Sequence, residues 1–176
     1  LVRANNASAS RMAAELIGQT FDERLHKVTA LAASPDLVAA VAAHDEDAVR
    51  KRLLPTVKYD ENVDRAAVLD PSGVLWSDYP PAPETLGRNF AFRDYFKGVA
   101  QNWQPYVSGV FKRLAPPQPL VVATVAPIRD RQAHVIGVLM TEYRLERLAQ
   151  RLKQVHVGKH GFMIVLDHTG TVAAHA

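Results

Sequence analysis

Cysteine is absent from this chain of 176 residues. Without a thiol the protein can form no disulfide bond, no thiolate zinc site and no cysteine-nucleophile active site. Long apolar runs are missing too: the longest uncharged stretch, residues 114–128, is too short to cross a bilayer and contains four prolines. The sequence also lacks the motifs of zinc proteases, serine hydrolases, P-loop proteins and dinucleotide-binding folds, so it predicts neither an enzyme nor a cofactor.

The charge balance argues against a nucleic-acid partner. The chain has 21 Lys and Arg against 18 Asp and Glu, and 48% of its residues are hydrophobic, as in an ordinary soluble globular protein. Part of the basic excess lies in residues 144–153, which form no broad cationic stripe. Nor do the histidines predict a metal site: His156 and His160 have a helical ligand spacing, but Gly158 interrupts a helix between them and no carboxylate completes the set.

The first 57 residues are predicted to be helical. Apolar residues recur every three or four positions from Met12 to Leu31, which predicts one helix over residues 4–33, about 45 Å long. We interpret this helix as a stalk or a dimer seam; an ordinary helix packed at a domain edge is the alternative.

Two shorter helices are predicted to follow the long one. Ser34-Pro35-Asp36 has the residue types of a helix start, and the helix should run to about Ala43. Asp45 should cap the next helix, which we expect to end before Pro55.

The rest of the chain has the pattern of an antiparallel sheet. Strands are predicted at residues 65–69, 74–77, 106–111, 120–127 and 134–143. Short helices are predicted at residues 93–100 and, with an amphipathic pattern, 142–153. Helices followed by a strand meander with one inserted helix are typical of an α+β sensor-type domain.

An internal repeat suggests that a second sheet begins near the C-terminus. Val68-Leu-Asp-Pro-Ser-Gly-Val74 recurs as Val165-Leu-Asp-His-Thr-Gly-Thr171, and in each copy Asp and Gly have the spacing of a tight turn. The chain ends before that second copy could be completed. Because it also starts at Leu1 without a signal-peptide pattern, we expect it to be a piece of a longer protein.

The motifs, in this order, resemble those of the double Cache domains, the extracytoplasmic ligand-binding modules of bacterial chemoreceptors, sensor kinases and cyclases. The resemblance rests on the following segments: Val68-Leu-Asp-Pro-Ser-Gly73, Gly87-Arg-Asn-Phe-Ala-Phe-Arg-Asp-Tyr-Phe96, Tyr106-Val-Ser-Gly109, Val121-Val-Ala-Thr-Val-Ala-Pro127, Ile136-Gly-Val-Leu-Met140, Phe162-Met-Ile-Val-Leu-Asp-His-Thr-Gly170 and Ala174-His-Ala176. Residues 87–96 look especially like the C4-dicarboxylate-sensing kinases of this group.

The resemblance implies an α+β fold in which a long N-terminal helix packs on a PAS-like, five-stranded antiparallel sheet. It divides the chain into a helical region (residues 1–57), a membrane-distal subdomain (58–154) and the truncated start of a membrane-proximal subdomain (155–176). It also implies a periplasmic sensor anchored by membrane helices outside this chain, with a homodimer contact through the N-terminal helix. The ligand pocket would lie under the loop and helix that contain Arg93.

Arg93 is the first candidate for the ligand site. It lies among aromatic residues, Phe90 and Phe92 before it and Tyr95 after it, and a guanidinium held by aromatic rings suits a carboxylate. The alternative is a helix-start arginine paired with Asp94 or another acid.

Further candidates offer hydroxyl or ring contacts. Tyr95 and Tyr106 suit a pocket wall, although both could equally be core residues. Strand alternation would turn either Trp76 or Ser77, but not both, toward the same cavity. Thr124, in an apolar strand, needs a hydrogen-bond partner that a ligand or a neighbouring carbonyl could supply.

The available charges favour a short carboxylate. Lys112 could add a second positive charge, although a solvated turn lysine is the alternative reading, and a dicarboxylate would need Lys112 or Arg113 opposite Arg93. An amino acid would need an inward-facing acid, such as Asp78 or Asp94. Together with the resemblance, this predicts the sensor domain of a membrane receptor, a chemotaxis transducer or histidine kinase, that signals by a conformational shift. Its ligand would be a small organic anion, a short mono- or dicarboxylate with acetate as the example. The alternative is a ligand-free dimerisation or protein-contact module of a membrane receptor.

Overall fold

A computed structural model describes residues 2–152, 164–167 and 170–175. Its elements, in chain order, are α1 (Val2–Ala32), α2 (Pro35–Ala42), α3 (Glu46–Tyr59), β1 (Val63–Leu69), β2 (Leu75–Tyr79), α4 (Asp94–Ala100), β3 (Tyr106–Val107), β4 (Phe111–Lys112), β5 (Leu120–Arg129), β6 (Val135–Arg144), α5 (Leu145–Leu152), β7 (Ile164–Leu166) and β8 (Val172–His175). The α+β class predicted from the sequence is confirmed.

The main sheet is antiparallel and has the order β2-β1-β6-β5, with the two short strands β3 and β4 both paired to the outer edge of β5. One face packs against α1, α2 and α3 through a core that includes Val28, Leu37 and Leu53. The other face packs against α4 and its flanking loops, with Phe96 and Val99 in the core. The sheet therefore separates a helical side from a loop side, and the two sides can carry different sites.

The helix starts follow the predicted signals, but one predicted end is wrong. Asp45 is the N-cap of α3, where its carboxylate accepts the Ala48 N–H at 2.9 Å, and Ser34 occupies the N-cap position of α2. Helix α3 does not end before Pro55 but continues to Tyr59. Proline removes one helical hydrogen bond, yet the buried Leu53 and the partly buried Val57 pack into the same core on either side of it.

Two other predicted boundaries change for tertiary reasons. The strand predicted at residues 106–111 is broken into β3 and β4, because the N–H groups of Gly109 and Val110 donate to the Asp94 and Asp167 carboxylates instead of to β5. Residues 142–144, predicted as the start of the last helix, are the end of β6, and α5 begins at Leu145.

The internal repeat forms a hairpin turn in both copies. Asp70 accepts the Val74 N–H at 2.9 Å and Asp167 accepts the Thr171 N–H at 2.9 Å. The glycines of the two turns have φ values of +91° at Gly73 and +82° at Gly170, in the left-handed region that glycine tolerates. Strands β7 and β8 pair in a separate two-stranded sheet, whereas residues 155–163 of the predicted second subdomain lie outside the described residues.

Candidate functional site

A small cavity lies on the loop side of the sheet, between the approach to α4, strand β4 and the central strands. Its free volume is about 20 Å³, room for about one water molecule. It is lined by Arg65, Leu75, Thr85, Phe90, Arg93, Tyr95, Phe111, Arg113, Leu114, Ala115, Met140 and Glu142. Pockets that enclose small organic ligands are larger, about 300 Å³ or more, so a ligand of several atoms requires the lining loops to move outward.

Arg93 lies directly before α4, and its side chain lines this cavity. Its backbone is extended (φ −73°, ψ 146°) at the N-cap position, and its side chain makes no capping bond. The guanidinium lies 5.3 Å from the Phe92 ring centre and 5.5 Å from that of Phe111. Within the described part of the chain, no carboxylate lies within ion-pair distance of it; the carboxylate of Asp94 accepts hydrogen bonds from Tyr106 and Gly109 instead.

Tyr95 lies on the first turn of α4 and lines the same cavity. Its side chain is buried, and its hydroxyl has no hydrogen-bond partner among the described residues. Burial raises the pKa of Tyr95, the nearby Glu142 raises it further, and Arg93 only partly opposes them. The phenol therefore stays protonated throughout the physiological range and can donate a hydrogen bond into the cavity.

Buried ion pairs form the floor of the cavity. Arg65 pairs with Asp78 and donates to the Thr85 hydroxyl at 2.7 Å. Arg113 pairs with Asp64 and lies 3.5 Å from the carboxylate of Glu142. Because Arg65 and Arg113 already have acidic partners, Arg93 differs from them in having a guanidinium that no carboxylate of the described residues neutralises.

Glu142 is the acid that lines the cavity. Burial raises its pKa, while Arg65 and Arg113 act in the opposite direction. The sequence analysis did not identify Glu142 or Arg65, although each is a charged residue in a mostly apolar strand. That pattern is a signal for a buried ion pair, because an isolated charge would not be tolerated there.

Two predicted residues, Trp76 and Ser77, lie on the helical side of the sheet rather than at the cavity. Ser77 pairs with Val68, and the pairing then shifts so that Leu69 opposes Leu75 and Trp76 is the extra residue of a β-bulge. The bulge turns both residues away from the cavity. Trp76 packs against the core under α1–α3 and stacks on His44 at 4.2 Å, so the expected alternation fails here.

The structure also places the remaining three predicted residues outside the cavity lining. Tyr106 donates its hydroxyl to Asp94 at 3.2 Å, on the outer side of α4. Lys112 is exposed on β4, and the next residue, Arg113, is the one that reaches the cavity. Thr124 is buried on the helical face of the sheet, where its hydroxyl lies 2.8 Å from that of Thr141. Of the seven predicted residues, the structure therefore brings Arg93 and Tyr95 together.

Solved structures of bacterial sensor domains have the same fold. The ligand-binding domain of the Pseudomonas fluorescens chemoreceptor CtaA in complex with L-isoleucine aligns with a TM-score of 0.72 and 14% identity, over 98% of this chain and 69% of that one. The sensor domain of the Vibrio cholerae histidine kinase DctB aligns with a TM-score of 0.74 and 18% identity, over 96% of this chain and 64% of that one. The ligand-binding domain of the Pseudomonas aeruginosa chemoreceptor PctC in complex with GABA aligns with a TM-score of 0.72 and 21% identity, over 96% and 73%.

The match at the family level covers nearly the whole chain. No curated protein matches the sequence. None of the described helices is long and apolar enough to span a membrane. Cache domains of chemoreceptors and histidine kinases are extracytoplasmic sensor domains that bind small ligands and are not catalytic. The sequence-family model of the Cache domain matches residues 2–176, and the chain therefore belongs to the Cache domain family.

Proposed function

We propose that this chain is the sensing domain of a bacterial membrane receptor and that it binds a small organic anion, a short carboxylate such as acetate, in the cavity beneath Arg93. The proposal rests on one observation: two hydrogen-bond donors that line the same cavity have no partner within the described residues. The Arg93 guanidinium has no carboxylate partner in the described part of the chain, and the Tyr95 hydroxyl beside it has no acceptor. Together they offer charge-assisted hydrogen bonds to one carboxylate.

The similar structures support a carboxylate as the recognised group. L-isoleucine and GABA, the ligands in the CtaA and PctC complexes, each carry one. A small site yields at most about 1.5 kcal/mol per heavy atom, so a ligand the size of acetate is limited to roughly 6 kcal/mol. That limit corresponds to a dissociation constant of some tens of micromolar, which suits the sensing of a nutrient.

The cavity charges favour a simple carboxylate over an amino acid. An ammonium group needs an ionised acid, and Asp78 and Asp94 are already engaged by Arg65 and by Tyr106 and Gly109. Glu142 faces the cavity, but burial opposes its ionised form, and it already lies 3.5 Å from the Arg113 guanidinium. An amino acid would also draw Glu142 away from Arg113, leaving that buried guanidinium less well paired.

A dicarboxylate faces a different obstacle. Its second carboxylate needs a second cation, and Arg65 and Arg113 line the cavity while bound to Asp78 and Asp64. Recruiting either arginine means breaking a buried ion pair, which costs roughly 3–5 kcal/mol when a partner is lost outright.

We further propose that the protein dimerises through α1 and that membrane helices outside this chain anchor it. Met12 is 60% exposed and Leu16 is 42% exposed on α1, so this helix carries an apolar surface suited to a second copy. Ligand binding would then favour one of two arrangements of the domain and its helices, because a ligand shifts an equilibrium only through differential affinity.

Isothermal titration calorimetry with acetate, propionate and succinate tests the ligand proposal. Arg93→Ala should weaken binding of the tightest carboxylate by roughly 100-fold, since it removes charge-assisted hydrogen bonds worth about 3 kcal/mol together. Arg88→Ala is the matched control, because Arg88 is exposed on the same loop and lies outside the cavity lining.

Two results would overturn the assignment. Equal affinity of the Arg93→Ala and wild-type proteins would show that the carboxylate binds elsewhere. Failure of every carboxylate to bind, combined with a stable dimer in analytical ultracentrifugation, would favour the ligand-free contact module instead.

A further inference from the structure

A second concave site lies on the helical side of the sheet, separated from the Arg93 cavity by the sheet itself. Its volume is about 290 Å³. The residues around it come from α1, α3, the loop after α3 and the ends of β1 and β6, and they include Lys27, Thr56, Asp60, Val63, Thr141 and Tyr143. A volume of about 300 Å³ is at the lower end for sites that enclose small organic ligands, so the groove has room for a molecule of roughly ten heavy atoms.

The floor of this groove carries a row of hydroxyl groups. The Thr141 hydroxyl lies 2.8 Å from that of Thr124 and 3.1 Å from that of Tyr143, and all three side chains are buried. Each hydroxyl has one proton and two lone pairs. Two contacts among three hydroxyls use two of the three protons, so the row retains one donor and spare lone pairs for a further partner.

Among the described residues that line the groove, the two charged side chains pair with each other. Lys27 on α1 forms an ion pair with Asp60, which follows α3, at 3.1 Å. The walls between rim and floor are largely apolar and include Val28, Leu31 and Val63. The Arg24 guanidinium lies 3.9 Å from the Tyr143 ring centre but outside the groove lining, and Lys27 and Asp60 neutralise each other. An ion entering the groove would therefore lose its hydration without a counter-charge in the lining, and an entirely apolar molecule would leave the hydroxyl row unused.

We propose that this groove is a second binding site, for a neutral small organic molecule of roughly ten heavy atoms with one hydroxyl or carbonyl group. The polar group binds the Thr141–Tyr143 hydroxyls, and the apolar body lies between α1 and α3. The inference does not depend on the anion site, because it rests on different residues and on the opposite face of the sheet.

Benzyl alcohol and benzoate form a matched probe pair for this site, since they share a ring and differ in the charge of the polar group. Methyl NMR spectra of the chain should show benzyl alcohol shifting the signals of Val28, Leu31 and Val63, whereas benzoate should leave them unchanged. Arg93→Ala should leave the benzyl alcohol shifts intact, which separates this site from the anion cavity.

Two variants locate the probe within the groove. Thr56→Phe fills the groove from the partly exposed side of α3 and should weaken benzyl alcohol binding by more than roughly tenfold, without loss of signal dispersion. Thr141→Val preserves the side-chain shape and removes the central hydroxyl, and should weaken binding by about tenfold, the equivalent of one hydrogen bond.

Three results would overturn the inference. The first is that benzoate and benzyl alcohol shift the methyl signals of the groove equally. The second is that Thr56→Phe binds benzyl alcohol as tightly as the wild type does. The third is that the methyl signals of the groove change with protein concentration when no probe is present. The last result would mean that a second copy of the chain occupies the groove. Because Thr56 is partly exposed and Thr141 is buried, loss of folding by Thr141→Val would leave Thr56→Phe to decide the question.

Discussion

Removing single hydroxyls from two tyrosines next to each other in the fold should separate ligand binding from structural support. Tyr95 lies on α4 and Tyr106 packs against it, but the hydrogen bonding of their hydroxyls differs. That of Tyr95 lines the cavity with no partner in the described residues, whereas that of Tyr106 donates to Asp94 at 3.2 Å. A Tyr→Phe change removes the hydroxyl and retains the ring in both cases.

The expected changes in stability and in acetate affinity follow from the hydrogen-bond partners of the two hydroxyls. Tyr95→Phe removes a hydroxyl that makes no hydrogen bond within the described residues, so the free energy of unfolding should stay within about 0.5 kcal/mol of wild type or rise slightly. Acetate affinity should fall by about tenfold, the worth of one hydrogen bond. Tyr106→Phe should lower the free energy of unfolding by about 1 kcal/mol, because it loses a partly exposed bond to a carboxylate, and should change affinity less than about threefold.

Urea unfolding followed by circular dichroism measures the first quantity, and calorimetric titration with acetate measures the second. The reasoning is refuted if Tyr95→Phe destabilises the fold by more than about 1 kcal/mol while leaving the affinity unchanged. Such a result would make Tyr95 a core residue with an undetected structural role.

Tyr95 should also affect how the stability of the protein changes at alkaline pH. Burial raises the pKa of Tyr95, so the folded protein keeps this phenolic proton after the unfolded chain has lost its own. The corresponding stability is fully present below about pH 10 and declines as the pH rises toward the folded-state pKa. Tyr95→Phe should therefore flatten the loss of stability above pH 10, as measured by thermal melts across that range.

Two further predictions concern local geometry. Gly98→Ala in α4 puts a Cβ 2.4 Å from the Tyr106 ring and should cost about 1–3 kcal/mol in urea unfolding, whereas Gly18→Ala in α1, with no atom within 4 Å, should gain roughly 0.5–1 kcal/mol. Partial burial raises the pKa of Asp70, but hydrogen bonds from Ser72 and Val74 outweigh it and lower the pKa overall. Asp70→Ala should therefore cost about 1 kcal/mol at pH 7 and less in melts at pH 3; a pH-independent loss would contradict the turn geometry.

Local signals in the sequence were sufficient to predict most of the element order. Asp45 caps α3 through a bond to a residue three positions along, and the turn at Asp70 and Gly73 is closed within five residues. Pro55 shows the limit of such signals. Its effect on α3 is decided by the burial of Leu53 and Val57 in a core to which β1 and β6 also contribute, and that core is not visible in a local pattern.

The candidate site was predictable only where a side chain's direction follows from an uninterrupted element. Arg93 and Tyr95 were predicted from the aromatic residues around them and from the family resemblance, which implied a pocket under the loop and helix containing Arg93; both line the cavity at the start of α4. Trp76 and Ser77 lie at a bulge, and one extra residue reverses the alternation on which the prediction rested. Lys112 and Arg113 differ by a single position at the end of a two-residue strand, where the register depends on its partner β5.

The break between β3 and β4 shows how a long-range contact links the anion cavity to the second hairpin. Asp94 follows Arg93 directly and accepts the Gly109 N–H at 2.8 Å, and Asp167 in the turn after β7 accepts the neighbouring Val110 N–H at 2.7 Å. The next residue along the chain, Phe111, lies against the Arg93 guanidinium and lines the cavity. Two adjacent amides are therefore held by one carboxylate from the start of α4 and one from the β7–β8 turn, directly before a residue of the cavity wall. The residues that bind the anion in our proposal are thus connected through these hydrogen bonds to the β7–β8 turn.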